Sequence, residues 1–170
     1  MLPEYRKILY ATDLSENARA AFKHAVSFAK TYQAKIYLVH VVPKLVLHER
    51  ELILATSGFR ANVPDMISDE EKMKAATAVI IDKIRARLKR FAEEELGGND
   101  NSLDWLGGIE VPEGTSPTEE ILSASERLDA DLLVFGSHSK GLLKQTFLGS
   151  VAEKVLERTS RPFLVVPLVD

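Results

Sequence analysis

The sequence predicts a single α/β domain over residues 1–170, an open five-stranded parallel sheet with helices on both faces. Three observations carry this expectation. Short apolar runs alternate with stretches of helical periodicity from one end of the chain to the other. The apolar runs are nearly continuous instead of alternating with polar residues, as in strands buried on both faces. Helix starts are marked by serine followed three residues later by glutamate.

Taken in order, Ile8-Leu9-Tyr10-Ala11 is a strand bounded by Thr12-Asp13, and Ala18, Phe22, Ala25, Ala29 and Tyr32 then recur at helical spacing. Ile36 to Val42 is a second strand, stopped by Pro43. A long helix is expected from about Asp69 to Leu96, with Ile80, Ile84, Leu88 and Phe91 inward. Lys83, Arg85, Arg87, Lys89 and Arg90 crowd its other sides as a solvated face or a partner-binding patch. Between Ser102 and Val111 the signal is weaker, because Gly107-Gly108 interrupts it, and a bulged strand is expected there. Leu132 to Phe135 is the fourth strand, and Phe163 to Val166, held between Pro162 and Pro167, is the fifth. Ser68-Asp69-Glu70-Glu71, Ser116-Pro117-Thr118-Glu119 and Ser150-Val151-Ala152-Glu153 each match the capping box, and Pro117 suits a first helical position. The expected strand order is 3-2-1-4-5, a Rossmann-like arrangement. Residues from about 44 to 68 form a variable insertion, a loop around a short helix, able to act as a lid, a dimer contact or a partner site.

Composition excludes several function classes. A formal charge of -3 offers no broad attraction to nucleic acid, which is not expected as a partner. The absence of cysteine removes disulfides, thiolate metal sites and cysteine nucleophiles, and fits a reducing compartment. The first residues lead into a strand instead of a signal-peptide core, and no apolar run is long enough to cross a membrane. A cytoplasmic protein without membrane insertion is expected.

Ligands of such sheets sit at the carboxyl ends of the strands, where strand order reverses. Two loops meet that description: Thr12-Asp13-Leu14-Ser15 after the first strand and Gly136 to Ser150 after the fourth. An apolar strand ending in Gly136, then Gly149 and a serine-led helix start, is how a phosphate-binding turn is built, since the amides and dipole of a helix start both favour an anion. Gly136 and Gly149 could alternatively serve only tight turns, Ser150 only a helix cap, and Asp13 only a helix N-cap beside Ser15. His40 is expected to be a hydrogen-bonded core histidine, whereas His138 falls in the phosphate loop; His24 and His48 are read as surface or packing residues. No histidine pair has the helical spacing of a zinc site. Walker, dinucleotide and nucleophile-elbow motifs are missing, so no catalytic residue is assigned.

Lys7 to Glu16, Leu38-Val39-His40-Val41-Val42-Pro43, and Gly136 through Arg161-Pro162-Phe163-Leu164-Val165-Val166-Pro167 resemble the universal stress protein family over nearly the whole chain. ATP-binding members of that family carry G-x2-G-x9-G-[S/T] after the fourth strand. Gly136, Gly149 and Ser150 match it, while Ser139 stands in the second glycine slot, with a Cβ that restricts the turn and a hydroxyl able to donate to phosphate. The resemblance implies ATP, or ADP or AMP, bound by Ala11, Asp13, Val41, Phe135, Gly136, Ser139, Gly149, Ser150 and Val151. Asp13 would face the ribose or an Mg²⁺ arriving with ATP, and the Val41 backbone would face the adenine edge. Ala11 replaces a proline common in the family. The resemblance also implies a homodimer, paired through the apolar edge strand 163–166. Three functions follow as expectations: an ATP-responsive signalling module with an unidentified protein partner, a nucleotide-free dimeric protective or interaction protein, or a slow ATPase.

Overall fold

The structure is a computed structural model that describes residues 2–15, 18–44, 69–97, 102–137 and 148–167. The elements run β1 (Lys7–Ala11), α1 (Ala18–Tyr32), β2 (Lys35–Val39), β3 (Val42–Pro43), α2 (Asp69–Leu96), a 3-10 turn (Ser102–Trp105), β4 (Leu106–Glu110), β5 (Glu113–Gly114), α3 (Pro117–Arg127), β6 (Leu132–Ser137), α4 (Ser150–Arg158) and β7 (Phe163–Pro167). Five strands form one sheet in the order β4-β2-β1-β6-β7, every pairing parallel. Counted along the chain these five are strands 3-2-1-4-5, the expected order. The two-residue strands β3 and β5 pair separately, a feature the sequence reading did not contain.

Strand alternation divides the core between two layers. Ile8 and Tyr10 of β1 face α1 and α2, where they pack with Phe22, Ala25, Leu88 and Phe91. Leu9 and Ala11 face α3 and α4, with Ile121, Ala124, Ala152 and Val155. Burial on both faces is the reason the strands read as unbroken apolar runs. In the first layer, Phe22 lies between Tyr10 and Phe91, with ring centroids 5.1 and 4.9 Å away. The long helix turns Leu88, Phe91 and Ala92 to the core, as its period predicts, with Ile80 and Ile84 half-buried.

Three local expectations need correction. The strand expected from Ile36 to Val42 is broken: β2 ends at Val39, and only Val42–Pro43 pairs again, now with β5. The weak signal before β4 is a 3-10 turn over Ser102–Trp105, and the strand proper starts at Leu106. Its register shifts beside Tyr37, the bulge expected from Gly107-Gly108. A Cβ on Gly107 would lie 2.5 Å from the Tyr37 ring, so only glycine lets that ring lie across the strand. Finally, α4 has Gly149 as its N-cap without a side-chain cap bond, and Ser150 is its first residue, so no capping box forms there. At Ser116 the cap is made, with Oγ accepting from the Glu119 amide at 3.4 Å and Pro117 following. The Glu119 carboxylate instead takes a two-pronged bond from Arg158 of α4, one prong at 3.0 Å. Ser68 and the expected insertion from residue 45 onward lie outside the described residues.

Candidate functional site

The break after Val39 opens the sheet at its carboxyl edge. Thr12 still donates to the Val39 carbonyl at 3.0 Å, but the chain then follows β4 and β5: His40, Val42 and Lys44 donate to Glu110, Pro112 and Gly114. Backbone groups of successive strand residues point to opposite sides, so those of Val41 turn the other way, toward the gap left beside β1. They have no backbone partner among the described residues.

A cavity of about 320 Å³ occupies that gap and extends across β1 to β6, where strand order reverses. Ala11, Asp13, Val41, Phe135, Gly136, Gly149, Ser150 and Val151 all line it, so eight of the nine residues expected at a nucleotide site come together. The ninth, Ser139, lies outside the described residues, as does His138.

The two expected loops contribute differently. In the first, Asp13 accepts the Ser15 amide on Oδ1 at 2.9 Å, a local turn. Leu14 adopts the left-handed conformation, φ 63°, and its amide bonds the Thr12 hydroxyl at 3.1 Å. The strained residue of this loop is thus a leucine. Gly136 is an extended residue of β6 opposite Val166, and Gly149 has φ -55°, so neither glycine supplies a left-handed turn. A Cβ on Gly149, which lines the cavity, would meet no described atom within 4 Å. Beside it, the first backbone bond into α4 is from Glu153 to Gly149, so the amides of Ser150, Val151 and Ala152 precede the helix ladder. Those amides, the helix dipole and the space beside Gly149 suit a phosphate.

The remaining wall is apolar, with Val39, Ile121, Phe135 and Ala152. It offers a base an apolar surface next to the Val41 backbone. Phe135 is braced by Phe163 of β7, stacked at 4.7 Å. Tyr10 also borders the cavity, its hydroxyl donating to the Ala18 carbonyl at 2.6 Å. Burial pushes that phenol well above its ordinary value, so it stays protonated and ties β1 to α1. No cluster of three metal-ligating side chains occurs among the described residues.

His40 corrects the core assignment. It is half-buried, lines the cavity, and sets Nδ1 2.8 Å from the Thr12 carbonyl oxygen. Its apolar neighbours concealed this, because the break that turns the chain away from β1 is a tertiary event. Pro117 was legible as a first helical residue, but nothing local marks it, or Ile121 one turn later, as a cavity wall.

The universal stress protein family model matches residues 4–167 of this chain. The universal stress protein MJ0577 of Methanocaldococcus jannaschii is 30% identical over 166 residues, covering 95% of this chain and 94% of its own. The stress response protein NhaX of Bacillus subtilis is 31% identical over 171 residues, covering 94% and 96%. Among solved structures, that of MJ0577 superposes with a TM-score of 0.66 at 27% identity, covering 98% of both chains. A universal stress protein solved in complex with cAMP shares the fold, with a TM-score of 0.53 at 19% identity over 98% of this chain and 99% of that one.

Proposed function

Because the chain belongs to the universal stress protein family, we propose that it is a stress-response module that binds an adenine nucleotide in the cleft between the ends of β1, β2 and β6. The observation that carries this reading is the convergence, on one cavity at the switch point, of a helix start and an apolar slot bordered by the Val41 backbone, whose amide and carbonyl have no backbone partner among the described residues. The base lies against Val39, Val41 and Ile121. The Val41 amide and carbonyl read its edge, and the ribose sits toward Asp13. The phosphates reach the amides of Ser150 and Val151 beside Gly149. Mg²⁺, where the nucleotide brings it, takes phosphate oxygens, waters and the Asp13 carboxylate. That a relative of the same fold was solved with cAMP favours a nucleotide monophosphate or larger adenine nucleotide as the class.

Asp13 and His40 are the ionisable side chains in the described cavity wall besides the protonated Tyr10. Among the described lining residues there is no arginine or lysine to stabilise phosphoryl transfer. Binding, with a change in the surface around the cleft, is the activity we assign, in a homodimer paired through β7. Ser139 in a glycine slot favours a second reading, a nucleotide-free dimer acting through a protein partner.

Thermal unfolding with and without excess Mg-ATP, on protein freed of co-purified nucleotide, tests the assignment. At about 100 times its Kd, ATP stabilises by about 2.7 kcal/mol, about 5 to 10 °C for a chain of this size. Gly149→Val, whose side chain enters the phosphate space, should abolish the shift, and Asp13→Ala should reduce it. ADP and AMP in parallel rank the nucleotides. No shift with any of the three would overturn the assignment in favour of the nucleotide-free reading.

A further inference from the structure

The basic stretch of α2 resolves into two groups. Arg85 pairs with Asp82 at 2.8 Å and Lys89 with Glu93 at 3.9 Å, an ordinary solvated helix face. Arg87 and Arg90, three residues apart on one side, instead line a second cavity of about 250 Å³ together with Arg19, Phe91 and Glu94. This cavity lies on the α1 and α2 side of the loop after β1, and Leu14 and Ser15 form its inner wall. Ser15 also borders the first cavity, so one loop separates the two.

The charges are unevenly matched. Arg19 lies over the Phe91 ring at 5.4 Å and binds both Glu94, at 2.8 Å, and Glu95, at 2.6 Å. Arg87 donates only to the Leu14 carbonyl, at 3.3 Å, and neither Arg87 nor Arg90 has an ion pair among the described residues. The Ser15 hydroxyl is sealed from solvent and has no hydrogen-bond partner among those residues. Two guanidinium forks on one wall, without an ion pair among the described residues, present donors that phosphate oxygens accept. A phosphomonoester, carrying about -1.5 to -2 charges at neutral pH, matches that pair.

We propose that this cavity is a second ligand site, for a small phosphomonoester, distinct from the nucleotide cleft. The inference does not depend on nucleotide binding.

Ribose 5-phosphate is a suitable probe. Arginine Nε–H resonances of the full-length protein are followed as it is added, against sodium chloride at matched ionic strength. The expected result is a saturable shift of Arg87 and Arg90 that survives Gly149→Val. It weakens at least about tenfold when Arg87→Gln and Arg90→Gln are combined, the loss expected for charge-assisted bonds. Both side chains are exposed, so the variant keeps its fold, checked by an unchanged helical circular dichroism. Shifts that never saturate and are matched by chloride would mean charge screening and overturn the site. Saturable binding that is lost in Gly149→Val but kept in the double arginine variant would place the phosphate in the first cleft, which also overturns it.

Discussion

His40 Nδ1 lies 2.8 Å from the carbonyl oxygen of Thr12 and ties β2 to β1 where the two chains part. A carbonyl can only accept, so Nδ1 carries a proton and donates it to Thr12. The histidine therefore fixes the width of the cleft mouth. His40→Ala removes one hydrogen bond, worth about 1 kcal/mol, and should lower the thermal midpoint by about 2 to 4 °C. His40→Asn, which keeps a donor, should recover part of the loss. An unchanged midpoint in the alanine variant would mean that the tie carries no stability.

Gly107 is predicted to be intolerant of even a methyl group, because the Tyr37 ring occupies that space. Gly107→Ala should destabilise by about 1 to 3 kcal/mol, the usual cost of overpacking, measured by urea unfolding. Adding Tyr37→Leu should relieve most of it. Equal losses in the single and double variants would show that the backbone of β4, and not the ring, is at fault.

The pairing of Glu119 with Arg158 joins α3 to α4, the helix whose start faces the cleft. The Arg158 guanidinium, by hydrogen bonding, holds the Glu119 carboxyl below its ordinary value. A depressed folded value means that the tie is complete above the ordinary glutamate value and is lost as pH falls through the depressed one. Carboxyl carbon shifts followed by NMR should therefore place the Glu119 midpoint low, and Arg158→Ala should return it to the ordinary value. Both side chains are exposed, so the effect on global stability is small.

β7 is the terminal strand of the sheet, paired with β6 alone among the described strands. For the proposed dimer, light scattering should give about twice the 18.9 kDa chain mass across dilution. Val165→Lys, a charge on the pairing strand, should shift the protein to the monomer. A mass of one chain at all concentrations would remove β7 as the interface.

The strands, the helices and their order were legible because periodicity and capping are local: Leu88 and Phe91 recur at helical spacing whatever lies against them, and Pro117 after Ser116 starts a helix by its own stereochemistry. The loops after β1 and β6 could also be named, since the apolar runs stop within two residues of the strand ends at Ala11 and Ser137. Local pattern misled where a long-range contact decided. The apolar run from Ile36 to Val42 looks continuous, yet bonding to Glu110 and Pro112 draws its end away from β1 and places His40 and Val41 at the cleft. Ser150 has the sequence of a cap, but the cap position falls one residue earlier, at Gly149, and Ser150 is the first helical residue. In this chain the sequence by itself determined the elements and their order, through forces acting over a few neighbouring residues. Only the tertiary structure decided which strand ends part, which arginines of α2 meet the Leu14 loop, and which side chains face a common cavity, because those relationships join residues far apart in the chain, Leu14 and Arg87 by 73 positions.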